Sequence, residues 1–228
     1  MPASASLSIP GLVDQQDGLE LPNPVTVAPE LRTVLAQVTD PRKPRGVRHG
    51  LVVVLTSAVC AVAAGARSFV AIAEWVADLP TTVAEHLGTA QRCPSESTIR
   101  RVVQDVEADR FDAALATFVQ QRCAALAPSG RLRALAIDGK TARGSRSTGP
   151  HGEQPARHLL AVIDQHTRLV LGQVGVDGKT SEISRFAPLL DTLTALDLTG
   201  VVITADALHT QREHVETLAA RGAHWVLP

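Results

Sequence analysis

The chain has no tyrosine, four phenylalanines and two tryptophans. So few flat side chains leave no stacking platform for unpaired bases, which sets single-strand nucleic-acid binders aside. Cysteine is also scarce. Cys60, Cys93 and Cys123 are odd in number, widely spaced and without a CxxC pair. That pattern excludes a disulfide framework and argues against a thiolate zinc site; it fits buried thiols in a reducing cytosol. No pair of histidines has convincing metal spacing. Excess charge is missing too. The 22 basic residues against 23 acids give a net charge of −1, so nothing draws the whole molecule towards DNA over long range. Any nucleic-acid role must rest on local basic patches. The N-terminus carries Asp14, Asp17 and Glu20 and no early basic cluster, so it is not a secretory signal, and a cytoplasmic location is expected. Leu51–Ala66 is apolar almost throughout, but a membrane span needs about 20 such residues. Arg67 closes it, and the amphipathic stretch FVAIAEWVADL follows, so it reads as a buried helix of a soluble bundle.

What is present is a chain of 228 residues with 45% apolar side chains, enough for one full domain and a smaller one. Residues 1–28 are rich in Pro, Ser and Gly and read as a flexible leader. Residues 29–128 read as helical. Leu31, Val34, Leu35 and Val38 recur at helical spacing within Pro29–Val38, and helices are expected from Leu51, around Phe69–Asp78, around Thr82–Leu87 and through Phe111–Leu126. Pro94-Ser95-Glu96-Ser97 before Thr98 is a helix entry, with serine available to cap free N–H groups. Between the first two helices, Asp40–Gly50 contains two prolines, two glycines and four basic residues, including Arg42 and Arg45.

Residues 129–228 change character. Arg133–Ile137, His158–Ile163 and Arg168–Val176 are short β-rich runs, and Gly144–Gly152 reads as a flexible loop. A helix over Ser181–Leu196, the strand VVIT, a helix over Gln211–Arg221 and a last strand near Ala223–Leu227 follow. The expected order β-β-β-α-β-α-β, behind a helical domain, is an α + α/β chain whose second half matches the ribonuclease H-like order. Other α/β layouts share parts of it.

Two acids stand where such a sheet would gather chemistry. Asp138 is expected to end the first strand, in LRALAIDGK, and Asp206 the fourth, in GVVITADALHTQ. On neighbouring strands, both would project from one rim. Paired carboxylates suit Mg²⁺, which fills its remaining positions with water and phosphate oxygens. Each residue alone has an ordinary structural reading as well. Aspartate before glycine forms turns, and aspartate between a strand and a helix caps the helix.

With those residues in hand, the chain resembles the ISAs-type insertion-sequence transposases, the group of the H-repeat-associated proteins. The resemblance runs from about residue 28 to 228 and is carried by Ala136–Ser145, Gly178–Ile183, Thr204–Gln211 and Arg221–Leu227. Asp40-Pro41-Arg42, Ala64–Ser68, Ile72–Trp75 and Pro94–Arg101 carry it in the helical half. It implies that Asp138 and Asp206 are the first two acids of a DDE triad on a ribonuclease H-like domain, holding Mg²⁺ (or Mn²⁺). It also implies strand nicking at element ends, followed by attack of the freed 3′-hydroxyl on target DNA by a two-metal mechanism. Residues 30–120 then correspond to the helical domain assigned to DNA binding. Two departures stand out. Ser181 replaces the asparagine of the Lys-Ser/Thr-Asn-Glu-Ile motif. The Lys-x-Asn-Gln segment and later catalytic glutamate lie beyond Pro228, so the chain reads as a C-terminally truncated, inactive fragment. Glu213 and Glu216 precede the strand that the third acid should follow. A ribonuclease H-like domain cut at that point would leave one sheet face poorly covered.

Around the aspartates, Arg131–Arg157 holds six basic residues against two acids. Lys140 and Arg143 are expected to touch the phosphate backbone, as are Arg42, Arg45, Arg100, Arg101 and Lys179 elsewhere. Lys179 and Glu182 resemble the family motif but also fit a surface ion pair worth little. His209 and Gln211 are supporting candidates that orient a phosphate or a water; a helix-capping or solvent-facing histidine is the plain alternative. The partner expected is double-stranded DNA, both element ends and target, with a homodimer or an intact transposase as protein partner. The competing readings are a non-catalytic DNA-binding remnant that regulates an intact transposase, and a different nuclease completing its site with Asp164 or Asp177.

Overall fold

The apolar run at Leu51 folds as an α-helix, α2 (Leu51–Ala63), that buries Leu51, Val54, Leu55, Ala58 and Ala61. No helix among the described residues is long and apolar enough to cross a membrane. A computed structural model describes residues 24–45, 47–126, 132–149, 152–177 and 181–228. Of the stretch expected as a leader, residues 1–23 lie outside this set. Helix α1 (Pro24–Leu35) starts within the remainder, earlier than the spacing from Pro29 suggests.

Around α2 pack α1, α3 (Phe69–Ala77) and α5 (Glu96–Asp105), while α4 (Thr81–Leu87) rests on α1. Leu31, Val34, Leu35, Val54, Leu55, Ile72, Ile99 and Val102 form their core, with Trp75 packed at its edge. Ser68 and Ser95 cap α3 and α5, accepting from the N–H groups of Ala71 and Thr98. The serine read as a helix entry is therefore the cap of α5.

Helix α6 (Ala108–Ala125) belongs to two cores at once. Ala114, Phe111, Leu115 and Phe118 face the helical bundle, while Cys123 and Val119 enter the core under the sheet. Gln120, fully buried, donates to the carbonyls of Leu171 and Thr192 (2.8 Å each) and accepts from the N–H of Ala195 (3.0 Å). Of the three thiols, Cys123 is buried, Cys60 half-buried and Cys93 exposed, against the expectation that all are buried.

The sheet has five strands: β1 (Ala134–Ala142), β4 (Arg157–Asp164), β5 (Val170–Val176), β6 (Val202–Thr204) and β7 (His224–Val226). Their order is β5-β4-β1-β6-β7. β4 runs antiparallel to β1 and β5 to β4, whereas β6 runs parallel to β1 and β7 to β6. Helix α7 (Glu182–Asp191) connects β5 to β6, and α8 (Arg212–Ala220) connects β6 to β7. The segment read as a flexible loop departs from expectation: β2 (Ser147–Gly149) and β3 (Gly152–Gln154) pair as a second, two-stranded sheet. Its glycine-rich sequence hides the ladder, because two three-residue strands are too short to show an alternation. Among the described residues, eight α-helices accompany a mixed five-stranded sheet.

Burial alternates along β1. Leu135 and Ile137 point into the core with Leu160, Val162, Ile203, Phe186, Leu189 and Leu218, whereas Ala134 and Ala136 are only half-buried and Asp138 is exposed. Side chains from α6, α7 and α8 gather on the first face. On the second, Leu159, Ala161, Ile163 and Val202 stay half-buried.

Candidate two-aspartate site and basic cleft

Asp138 does not end its strand. β1 continues to Ala142 because its antiparallel neighbour β4 runs alongside to Arg157, while the parallel neighbour β6 stops at Thr204. The register pairs Ala136 with Thr204, so two residues further along each strand stand Asp138 and Asp206, level with one another. Ala205 packs against the core, and Asp206 keeps an extended backbone. By strand alternation Asp206 therefore faces the same side as Asp138. This register carries both acids towards the end of the sheet where β6 peels away from β1.

Asp138 has a side chain 55% exposed, with the ammonium of Lys140 at 3.5 Å, two residues along the same face. Asp138-Gly139 lies inside a strand, so it is not a turn. Asp206 is the N-cap of a short 3₁₀ turn, Ala207–His209, and its Oδ1 accepts the N–H of Leu208 at 3.0 Å. The ordinary capping role of Asp206 thus coexists with an exposed carboxylate. Both carboxylates are exposed hard oxygen donors of the kind divalent cations accept together with water and phosphate oxygens. Among the described residues no group of three His, Cys, Asp or Glu converges as a metal cage.

The other acids are occupied elsewhere. Asp164 is fully buried at the far end of β1, opposite Leu135, ion-paired with Arg133 at 3.0 Å and accepting N–H groups from His166 and Thr167. It therefore does not complete the rim. Asp177 pairs loosely with Arg185 at 3.7 Å, and Glu216 pairs with Arg212 at 2.8 Å on the surface of α8, where Glu213 also lies exposed.

The supporting residues fall out differently from expectation. His209 neither faces solvent nor caps a helix: its side chain is fully buried, packed 5.3 Å from Phe186 and 5.3 Å from His214. Burial, then the neighbouring His214, push its pKa below the usual histidine value against the pull of Asp206 and Glu182. Gln211 precedes α8 and donates to the carbonyl of Leu208 at 3.1 Å, which stiffens the turn after Asp206. Glu182, at the first position of α7, bonds the ring of His158 at 2.6 Å. Its expected partner Lys179 lies outside the described residues. His158 and His214 were not singled out by sequence. The register pairing Thr141 with His158 puts that ring beside α7, and only tertiary packing stacks His214 on Phe186 at 4.0 Å.

The basic residues divide. Arg143 is exposed in the 3₁₀ turn that follows β1 (Arg143–Ser145), on the continuation of the strand that carries Asp138. In the helical half, a cavity of about 850 Å³ opens between the proline-rich segment and one face of α5. Arg42, Lys43, Arg45, Arg48, Arg92 and Arg101 line it, with Asp105 as the lone acid. Within it Arg42 is committed: its guanidinium grips Asp40 at 2.8 and 2.7 Å and the carbonyl of His49 at 3.1 Å, fixing the loop. Arg100 points away and pairs with Glu96 at 3.3 Å, so it does not share this cleft. Lys43, Arg48 and Arg92 join it instead. His49 also lines the cleft, and burial together with Arg92, Arg42 and Arg48 lowers its pKa.

A helical bundle carrying one basic cleft, followed by a mixed sheet, defines an α + β protein with two hydrophobic cores. Comparison with known proteins sharpens this. Residues 32–119 match the family described as DDE_Tnp_1-associated, and residues 129–228 match the Transposase DDE domain. The chain belongs to the insertion-sequence DDE transposase family. It is 32% identical over 208 residues to an uncharacterised protein encoded 3′ of dhlA in Xanthobacter autotrophicus, covering 91% of this chain and 65% of that protein. It is 29% identical to YncI of Escherichia coli O157:H7, covering 85% of this chain and 47% of the relative. To the H repeat-associated protein YhhI of E. coli K12 it is 26% identical, over 86% of this chain and 50% of the relative. The names of both E. coli proteins carry the word transposase. The chain thus spans half to two-thirds of the length of these relatives.

Proposed function

We propose that this chain supplies the DNA-gripping helical half and two of the metal-holding acids of an insertion-sequence transposase. What supports the reading is the register that pairs Ala136 with Thr204, two residues before the exposed Asp138 and Asp206 on strands that then part. The strand order β5-β4-β1-β6-β7, with three antiparallel strands followed by two parallel ones, supports a ribonuclease H-like topology. A divalent cation held by the two carboxylates, Mg²⁺ or Mn²⁺, would stabilise the charge on the attacking and leaving oxygens of a phosphodiester. Asp138 and Asp206 present those carboxylates from rigid backbone. Lys140 and Arg143, exposed next to them, are suited to hold the adjoining phosphates. The cleft lined by Lys43, Arg45, Arg48, Arg92 and Arg101 takes the backbone of double-stranded DNA, whose affinity is set by counterion release. Element ends and target are the DNA substrates in this reading, and a second copy or a longer transposase is the protein partner.

A second reading, in which the chain binds such DNA without cutting it, is favoured by one observation: no third acid meets the two aspartates among the described residues. Supercoiled plasmid incubated with the chain and Mn²⁺ distinguishes the two. Nicking that disappears in Asp138→Asn and in Asp206→Asn assigns catalysis to these 228 residues. Duplex binding that weakens steeply with salt, without nicking, leaves the binding role alone. Absence of duplex binding at low salt overturns both.

A further inference from the structure

Behind the rim, on the buried face of the sheet, the Glu182 carboxylate touches the strand of Asp138 and the turn that Asp206 caps. Neighbouring residues of a strand point to opposite faces, so Gly139 faces the interior where Asp138 faces out. The space that a side chain at Gly139 would fill is taken by Glu182. A Cβ built there would lie 2.5 Å from one carboxylate oxygen and 2.6 Å from the other. The same carboxylate bonds Nε2 of His158 at 2.6 Å, and Nδ1 of that ring meets the hydroxyl of Thr141 at 2.9 Å. Glu182 is thereby tied to β1 twice, once by direct packing and once through β4.

Its other oxygen lies 3.7 Å from Nε2 of His209. That ring is fully buried, and neither of its nitrogens has a hydrogen-bond partner. A fully buried imidazole without partners is costly unless something beside it compensates, and the Glu182 carboxylate is what lies beside it. His209 belongs to the 3₁₀ turn that Asp206 caps, and its N–H donates to the Asp206 carbonyl at 3.0 Å. The turn is held from below as well. Nδ1 of His214 lies 3.1 Å from the carbonyl of His209 and its Nε2 lies 3.0 Å from that of Ile183, the residue after Glu182. One continuous set of contacts therefore runs from the strand of Asp138, through Glu182, to the turn of Asp206.

We infer that Glu182 is the positioning residue of this site: wedged against Gly139 and facing His209, it sets the separation of the Asp138 and Asp206 carboxylates. It does so from the face opposite to Asp138, so it is not a third ligand. The inference rests on reading the two aspartates as the cation site, and its test separates the two ideas.

Mn²⁺ binding to the full chain, followed by electron paramagnetic resonance of the free ion, is read beside a circular-dichroism melt. Asp138→Asn should abolish uptake at the site. Glu182→Ala, measured where the melt shows it folded, should weaken Mn²⁺ about tenfold, the range in which residues that orient metal ligands act. Glu182→Gln keeps the wedge and the reach to His158, and should restore most of the affinity. His158→Gln releases Glu182 from the other side and should shift affinity in the same direction as Glu182→Ala, which keeps the test open if the alanine variant does not fold. An affinity within twofold of the unmutated chain in both Glu182→Ala and His158→Gln overturns the positioning role and leaves the aspartate site standing. Loss in Glu182→Gln as deep as in Glu182→Ala also overturns it, in favour of a direct ligand. Uptake that Asp138→Asn does not change overturns the site, and the positioning role with it.

Discussion

At the scale of single residues, the chemistry is set by which side of a strand each atom takes. Gly139 leaves room for the Glu182 carboxylate, which is held by His158 and would have to shift for any Cβ there. Gly139→Ala should therefore lower stability by about 1–3 kcal/mol, the usual cost of overpacking, read as a shift of the denaturation midpoint. Combining it with Glu182→Ala should recover most of that loss, whereas additive losses would mean that the two positions do not touch. Asp112 illustrates a charge effect. Burial raises its pKa above 3.8, outweighing the hydrogen bond from Gln173 that pulls it down. The folded state then favours the protonated acid, so ionised Asp112 costs stability at neutral pH, and that cost fades as pH falls through the raised pKa towards 3.8. Asp112→Asn should melt higher than the unmutated chain at pH 7 and equal it below pH 3.8; an equal difference at both pH values would refute the assignment. Asp138 and Asp206 were legible in the sequence because each closes a run of apolar residues with a residue that rarely sits in a core. The burial of His209 was not legible, because it depends on packing against Phe186 and His214, which the local sequence does not reveal.

At the scale of elements, the loop from Asp40 to Gly50 and one face of α5 form one cleft, although about fifty residues separate them in sequence. Arg45→Ala and Arg101→Ala should each lower duplex affinity and reduce the slope of log K against log salt by about 1, measured by fluorescence anisotropy. Arg100→Ala, outside the cleft and paired with Glu96, should leave that slope unchanged. His49 adds a pH term. Burial, and then the surrounding arginines, lower its pKa from 6.5, and a bound phosphate would raise it again, so binding takes up a proton. Affinity should rise as pH falls below 6.5, and His49→Ala should flatten that dependence. Sequence spacing placed most helices to within a few residues, since apolar periodicity is a local property. It missed β2 and β3, and it ended β1 at Asp138. Strand length there is decided by the neighbour: β4 continues the ladder to Ala142, and nothing in β1 alone says so.

At the scale of the whole molecule, α6 joins the helical bundle to the sheet. Its buried Gln120 satisfies three backbone groups on β5 and after α7, all of which lose their partner in Gln120→Ala. That substitution should cost on the order of 3 kcal/mol. Because α6 contributes to both cores, calorimetry of the unmutated chain should show one transition, and Gln120→Ala should split or broaden it. A single sharp transition in that variant would show that the two cores do not depend on this helix for their coupling.

The sequence by itself determined that the chain is helical first and α/β second, and that two aspartates stand after apolar strands. It also determined that the chain resembles a transposase over most of its length. All of these depend on local patterning and residue order. Tertiary structure alone decided that Ala136 pairs with Thr204 ahead of the two aspartates, that Arg42 pairs with Asp40 and Arg100 with Glu96 while Lys43, Arg48 and Arg92 line a cleft, and that Glu182 lies beneath Gly139. Those depend on register and on contacts between distant segments, which are fixed only when a strand has chosen its neighbour and a helix its face.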